Sequence, residues 1–278
     1  PLEDWIETGV TWLVENFRPQ FQAMKWPVEQ TLNGIDQLLQ LLPPILVLIV
    51  LFIIAWRIAG WRIGLFGVIT FTFIGFLGFW KDTMTTLAMV LSSVFFCTVA
   101  GIPLGIIAAR SDRFEAFIRP ILDAMQTTPA FVYLVPVVML FSIGTVAGVI
   151  ATIIFSMPPI IRLTNLGIRQ VQPDVVEAAK AFGSTSGQIL WKVQFPLAMP
   201  TIMAGLNQTI MLSLSMVVIA ALIGAGGLGL PVFEGLNSLR VGLAGIGGLS
   251  IVLLAMVLDR ITQALGKMKR HGVRRETG

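Results

Sequence analysis

The sequence predicts an all-helical integral membrane protein, and three observations support this: its hydropathy, its low charge and the spacing of its apolar segments. Of the 278 residues, 55% are hydrophobic and only 12% are charged, and the mean hydropathy is +0.85. Soluble domains carry roughly 25% charged residues. Apolar segments separated by short polar connections recur along most of the chain, as expected for repeated membrane crossings.

About seven apolar segments are predicted to cross the bilayer. They occupy residues 44–56, 63–79, 84–108, 129–143, 146–161, 200–223 and 241–265. Lys and Arg mark the cytoplasmic side of a membrane protein. Here they accumulate at residues 57–62, 110–119, 162–192 and 260–275. We therefore expect an outside N-terminus, an inside C-terminus and a cytoplasmic connection at 163–199.

The segments outside the spans complete the predicted organisation. Residues 1–43 contain two amphipathic runs, at 2–17 and 28–42, which we expect to lie on the outer surface. We expect these runs either to support the first spans by packing against them or to bind an extracytoplasmic partner. Residues 44–80 form two peripheral transmembrane helices, and 81–266 form the transmembrane core. Residues 267–278 form a basic cytoplasmic tail.

Catalytic chemistry is not predicted anywhere in the chain. The single histidine, His271, lies in the basic tail, and the single cysteine, Cys97, lies in an apolar run as a packing thiol. These two residues supply no metal site, and neither a P-loop nor a nucleophile elbow occurs. We therefore expect no cofactor or metal, and any nucleotide hydrolysis must be carried out by another protein. The glycine-rich stretch 224–229 is interpreted as a flexible outer turn with a gating role.

Two further classes of function are disfavoured by the charge pattern. The basic residues form no stripe with interleaved aromatics, so nucleic acid is not an expected partner. Ion-coupled carriers keep ionisable groups inside the bilayer, whereas the middles of the predicted spans carry none. Asp123 and Asp259 lie near cytoplasmic ends, where we expect them to pair with Arg119 and Arg260. Energy from a cytoplasmic partner is the better inference.

The cytoplasmic connection predicts two short helices joined by a glycine. Asp174 and Glu177 have the spacing of a capping box, and a helix over about two turns follows. Gly183 suits the left-handed residue that closes such a helix. Ser184 or Ser186 is predicted to cap the second helix, which Pro196 ends.

This pair of helices has the composition of a docking surface. Ala178 and Ala179 let another protein approach closely, and Val175, Phe182 and Trp191 are apolar anchors of the kind that dominate interfaces. Two interpretations of Glu177 stay open: it only caps its own helix, or it contacts a partner, a role that is compatible with capping.

The same residues carry a family resemblance. Glu-Ala-Ala at 177–179, Gly183 and Phe-Pro-Leu-Ala at 195–198 resemble the "EAA" loop of binding-protein-dependent ABC importer permeases. Longer strings at 123–136, 196–205 and 215–220 resemble the glycine betaine/proline betaine permeases of the ProW type. The resemblance extends over about residues 5–265.

The resemblance implies a type I ABC importer transmembrane fold with a MetI-like domain in the bacterial cytoplasmic membrane. The implied partners are a second copy of the chain, two cytoplasmic ABC ATPase subunits and a separate periplasmic betaine-binding protein. The ATPase-coupling residues would be Glu177, Ala178, Ala179, Phe182, Gly183 and Pro196. Candidates for the translocation path, with ordinary helix packing as the alternative, are Thr127, Thr128, Phe131 and Tyr133.

The implied function is ATP-driven import of glycine betaine or proline betaine for osmoprotection, by a transport subunit that is not itself an enzyme. Two alternatives remain. A permease of the same type could carry choline, carnitine or an amino acid. A stand-alone osmotic channel would conduct without any ATPase, and the elaborate cytoplasmic loop argues against it.

Overall fold

The computed structural model describes residues 2–276, together with the side chains of residues 8, 9, 11, 12, 16 and 20–266. Over residues 2–276 the chain is helical and contains no strand. The side chains of the predicted amphipathic run at 2–17, apart from those just given, and of the basic tail with His271 lie outside the described residues.

Thirteen α-helices are present within residues 2–276. They are α1 Leu2–Leu41, α2 Pro44–Ala59, α3 Trp61–Phe76, α4 Trp80–Arg110, α5 Asp112–Thr127, α6 Leu134–Phe141, α7 Thr145–Ser156, α8 Pro158–Arg169, α9 Pro173–Ala181, α10 Ser186–Ile189, α11 Phe195–Ile219, α12 Gly229–Asn237 and α13 Val241–Glu276. Short 3-10 turns at Ala130–Tyr133 and Ala220–Ile223 and a π turn at Leu190–Gln194 connect some of them.

Four of these helical stretches are long and apolar enough to cross a bilayer, counted over the described part of the chain. They are Trp80–Arg110, Thr145–Arg169, Ser186–Ile223 and Val241–Gly266. Two bent pairs raise the count to six: Gln20–Leu41 with Pro44–Ala59, bent by 109°, and Asp112–Thr127 with Ala130–Phe141, bent by 108°. The predicted count of about seven is therefore not confirmed, because α2 and α6 are each one arm of a bent pair and α3 is short.

The two predicted amphipathic runs of the N-terminal segment form one continuous helix, α1. It buries Val28 and Leu32 in the main apolar core. At its end, the Gln40 side chain donates a hydrogen bond to Thr85 Oγ1, 3.2 Å away, in the second turn of α4. These contacts attach α1 to the end of the core at which α4 begins.

Helix α8 lies at the centre of the transmembrane core, where glycines bring its neighbours close. A Cβ atom on Gly105 of α4 would lie 2.5 Å from Thr164 Cβ, and one on Gly205 of α11 would lie 3.0 Å from Leu163 Cβ. Small residues permit such close helix approach in membranes, where association depends on packing rather than on exclusion of water. Helix α8 is thereby held between α4 and α11.

The glycine-rich stretch 224–229 packs against the core rather than extending as a free loop, while its predicted gating role stays a prediction. Ala225 and Leu228 are fully buried, and the Leu228 N–H donates to Thr86 Oγ1 at 2.8 Å. Gly227 has a φ of +88°, and a Cβ there would lie 2.5 Å from the same Thr86 oxygen. The glycine is required because the turn sits directly against α4.

Buried hydroxyl groups connect three core helices. Ser213 Oγ of α11 donates to Ser156 Oγ of α7 at 3.0 Å, and Cys97 Sγ of α4 lies 3.5 Å from the same atom. Cys97 is buried, which confirms its prediction as a packing thiol. Every member has a partner, as buried polar groups require.

Candidate coupling surface and the adjoining polar cluster

Helix α9 and its C-terminal turn are built by local sequence. Pro173 occupies the start, where a missing N–H costs nothing. At the other end the Ser184 N–H donates to Ala179 O at 3.1 Å and the Gly183 N–H donates to Lys180 O at 2.9 Å. These two bonds form a Schellman motif. Gly183 has a φ of +78°, which confirms the predicted left-handed closing residue.

The predicted capping box of α9 is wrong. The N-cap is Gln172, which makes no side-chain cap hydrogen bond, and Asp174 lies inside the first turn. An acidic residue there still interacts favourably with the helix dipole. Glu177 is exposed and caps nothing, so the interpretation of Glu177 as a cap is also wrong.

The second short helix is capped by Thr185 rather than by Ser184 or Ser186. The Thr185 N–H donates to Gln188 Oε1 at 2.8 Å, and the Gln188 N–H donates to Thr185 Oγ1 at 3.4 Å. This reciprocal pair is a capping box. The neighbouring residues Ser184 and Ser186 have the same hydroxyl chemistry, but only Thr185 is followed three residues later by a glutamine, so the Thr185–Gln188 spacing was the available sequence signal.

Pro196 does not end the second helix, contrary to the prediction. Residues 186–223 form one continuous helical stretch, and Pro196 lies in the first turn of α11. The π turn at Leu190–Gln194 immediately precedes it, and Trp191 packs on Phe195 with ring centroids 5.1 Å apart. The helical stretch that begins at Ser186 therefore continues directly into a candidate span.

Helix α9 projects away from the rest of the chain. It buries no residue, Phe182 at its end is 91% exposed, and Trp191 beyond it is 59% exposed. Large apolar side chains exposed in a polar loop are a typical sign of a protein interaction surface. We call the exposed residues Val175, Glu177, Ala178, Phe182 and Trp191 the α9 docking surface.

A polar cluster lies beside the base of α9, between α5 and α8. Arg169, the last residue of α8, contacts Asp112 Oδ1 at 2.7 Å and Glu115 Oε2 at 3.0 Å. The pairings differ from the prediction, because Asp123 forms its ion pair with Arg162 and not with Arg119. Asp259 accepts hydrogen bonds from Asn207 and Gln263.

The cluster borders an open cavity of about 310 Å³ between α5 and α8, which Ala108 of α4 also lines. Its polar lining residues are Glu115, Arg119, Asp123, Arg162, Asn165 and Arg169. The sequence predicts that these arginines mark the cytoplasmic side and that Arg119 pairs with Asp123, but it does not predict the cluster. Their spacing was the available signal, because residues 162, 165 and 169 lie three and four apart on one helix face.

The four path candidates lie at the sharp bend between α5 and α6. Thr127 and Thr128 both donate to the Ala124 carbonyl, and Tyr133 Oη donates to the Met125 carbonyl. The Tyr133 ring packs edge-on against Phe155, with centroids 5.9 Å apart. Their polar atoms thus stabilise the bend. Phe131 differs because its side chain is 60% exposed.

The described chain is an all-helical membrane fold in which glycines bring the core helices together and α9 buries none of its residues. Residues 101–271 match the model of the family described as binding-protein-dependent transport system inner membrane component. The chain belongs to this family. It is an inner-membrane permease subunit of an ABC importer and not an enzyme.

Named relatives match almost the whole chain. It is 56% identical to the glycine betaine/proline betaine transport system permease protein ProW of Escherichia coli K12, over 97% of this chain and 76% of that protein. It is 47% identical to the glycine betaine transport system permease protein OpuAB of Bacillus subtilis 168, over 97% of this chain and 96% of that protein.

The fold is also similar to a solved transporter subunit. A chain of the MetNI methionine ABC transporter in an inward-facing conformation superposes with a TM-score of 0.57 and 25% identity, over 67% of this chain and 92% of that one. The fold is therefore MetI-like. Permeases of this family work with ATPase and binding-protein partners.

Proposed function

We propose that this chain is the permease of a glycine betaine/proline betaine importer and that the α9 docking surface seats in a groove of a cytoplasmic ATPase subunit. One observation carries the docking assignment: α9 buries none of its own residues, yet its end is held by a Schellman motif and presents Phe182 at 91% exposure. A helix so exposed and so well defined at its end is suited to bind another protein.

The proposed assembly contains two copies of this chain, two ATPase subunits that bind ATP, and a separate binding protein on the outer side. Glu177, Ala178, Ala179 and Phe182 would contact the ATPase, with Gly183 setting the direction in which the chain leaves. Pro196 would act at the start of α11, where the docking segment joins the span. The outer helix α1 supports the start of α4, a scaffold role.

The substrate proposal rests on the names of the relatives and on one side chain. Betaines carry a quaternary ammonium, which binds favourably to aromatic faces. Phe131 is the path candidate with an exposed ring, while Thr127, Thr128 and Tyr133 would shape the path by holding the bend. Choline, carnitine and amino acids remain the competing solutes.

The proposed mechanism is alternating access. When the ATPase subunits close, the two α9 helices are drawn together, and each carries its own α8 and α11 because the connections are short. The spans then open outward to accept substrate from the binding protein. Separation of the ATPase subunits after hydrolysis reverses these movements.

Reconstitution tests both parts of the proposal. Proteoliposomes containing the permease, its ATPase and its binding protein should take up labelled glycine betaine only with ATP, and Glu177→Arg should abolish uptake and substrate-stimulated hydrolysis. Glu29→Arg on the outer helix α1 is the charge-matched control. Uptake by the permease alone would indicate a channel. Unchanged transport by Glu177→Arg would contradict the docking assignment.

A further inference from the structure

Helix α5 is attached to its neighbours by little apolar packing. Leu122 is its only buried residue, although Ile118 and Met125 add partly buried contacts to the same cluster. The cavity of about 310 Å³ separates part of α5 from α8. Polar contacts across that space therefore connect the two helices where close packing does not.

Arg169 contacts all three helices around this space, α4, α5 and α8. Its Nη2 atom donates to the Ala108 carbonyl at 2.8 Å, and its Nε donates to Asn165 Oδ1 at 2.9 Å. The same guanidinium contacts Asp112 and Glu115, both in the first turn of α5. A planar group with five donors is suited to join several acceptors at once.

Each contact has a different structural value. The Ala108 carbonyl lies in the last turn of α4, where helix carbonyls lack partners within the helix. The Glu115 side chain is 32% exposed and also accepts from Asn165 Nδ2 at 3.2 Å. The Asp112 side chain is 88% exposed, so solvent screens that pair more strongly. Of the two acidic residues of α5, Glu115 therefore makes the stronger contact with Arg169.

The position of Arg169 in the chain connects this cluster to the docking surface. It is the last residue of α8, and α9 begins four positions later at Pro173. Since α9 buries none of its own residues, a displacement imposed on it reaches the core through its two chain connections, of which this one is the shorter. At its other end α5 leads to the 108° bend before α6.

We propose that Arg169 is a positioning residue that transmits movement of α9 to α5, chiefly through Glu115, and so to the bend that carries Phe131. The inference rests on the proposed docking of α9 to an ATPase. Arg162, paired with Asp123 on α5, is a second connection about two helical turns from Arg169 and therefore farther from α9. Loss of Arg169 should therefore separate ATP hydrolysis from transport while leaving the ATPase bound.

The experiment measures uptake and hydrolysis together in the reconstituted complex. Arg169→Met should keep ATPase co-purification and hydrolysis near the wild-type level but lower the solute transported per ATP by about fivefold or more. Arg169→Lys should restore part of the solute transported per ATP, because lysine retains the positive charge but lacks the planar guanidinium group that contacts several acceptors at once. Arg119→Met is the matched control, since Arg119 lines the same cavity and no ion pair of it occurs among the described contacts.

A second variant covers the case in which Arg169→Met fails to assemble. Glu115→Met with Asp112→Ala removes the carboxylate acceptors on α5 and leaves the contacts of Arg169 with α4 and α8. It should show the same loss of coupling. A wild-type ratio in either variant, or an equal loss in Arg119→Met, overturns the inference. Absence of betaine uptake by the wild-type complex would instead count against the proposed function.

Discussion

Helices α8 and α9 are consecutive in the chain and begin alike, yet they occupy opposite environments. Each starts with proline and mixes apolar with polar residues. Helix α8 buries Pro158, Pro159, Ile160, Ile161, Thr164, Gly167 and Ile168. Helix α9 buries none. The comparison shows that the surroundings, rather than composition, decide which of the two is core.

The physical difference lies in what faces each helix. Helix α8 meets Gly101 and Gly105 on α4 and Gly205 on α11, which accept its side chains at close range. Helix α9 has no such surface, and its contacts are mainly with α10 and the π turn at Leu190–Gln194. One region is therefore specified by packing, and the other is available to a partner.

The largest effect is expected where packing around α8 is tightest. Gly105→Leu forces a side chain against Thr164 and the Ile161 carbonyl, which lies 2.8 Å from the added Cβ. We expect destabilisation of about 3 kcal/mol, measured as a lower thermal unfolding midpoint in detergent. Gly34→Leu on α1 is the control, because no atom lies within 4 Å of a Cβ there. Equal effects of the two variants would show that α8 is not closely packed.

A smaller effect is expected at the turn that ends α9. Gly183→Val places a β-branched residue at a φ of +78°, with a local cost of about 1–2 kcal/mol. The unfolding midpoint should fall slightly, while betaine uptake in the complete complex should fall strongly. Gly183→Asn should retain most uptake, since Asn tolerates this conformation. Equal uptake by the Val and Asn variants would contradict a role for this turn.

Removal of a buried hydroxyl group of α8 is expected to raise the stability of the protein rather than lower it. Thr164 Oγ1 is fully buried and has no hydrogen-bond partner among the described residues. Thr164→Val removes this polar atom at nearly constant shape, so we expect stabilisation of about 1 kcal/mol. Thr152→Val is the control, because its hydroxyl donates to Gly148 O at 2.7 Å and its loss should not stabilise. A lower midpoint for Thr164→Val would indicate that the hydroxyl is paired.

The smallest effect on stability is expected for the most exposed residue of the docking surface. Phe182→Ser should leave the unfolding midpoint unchanged, because exposed side chains contribute within about ±0.5 kcal/mol. It should nevertheless lower ATPase co-purification. Phe76→Ser is matched in residue type and exposure, since Phe76 is 88% exposed, but it should not affect ATPase binding. Loss of stability in Phe182→Ser would mean that α9 belongs to the core after all.

Prediction from sequence was most reliable where a local rule applied. Gly183 was identified from helix termination chemistry, and Cys97 from its apolar run. The capping box failed because Asp174 and Glu177 satisfy the spacing while the N-cap is Gln172 and the helix begins at Pro173. The cap of α10 was missed although Thr185 and Gln188 have the capping-box spacing, which Ser184 and Ser186 lack. The continuation through Pro196 failed because a proline is tolerated in the first turn of a helix, and the preceding π turn has no spacing rule.

The amino-acid sequence by itself determined the class of this protein. Its hydropathy, its distribution of Lys and Arg and its Glu-Ala-Ala loop predict a membrane transport subunit, because these are properties of composition and short-range order. Only the tertiary structure decided that α8 packs closely between α4 and α11, that α9 buries none of its residues and that Arg169 contacts α4, α5 and α8. Those features depend on contacts between residues as far as 61 positions apart, and such pairs are chosen by three-dimensional packing.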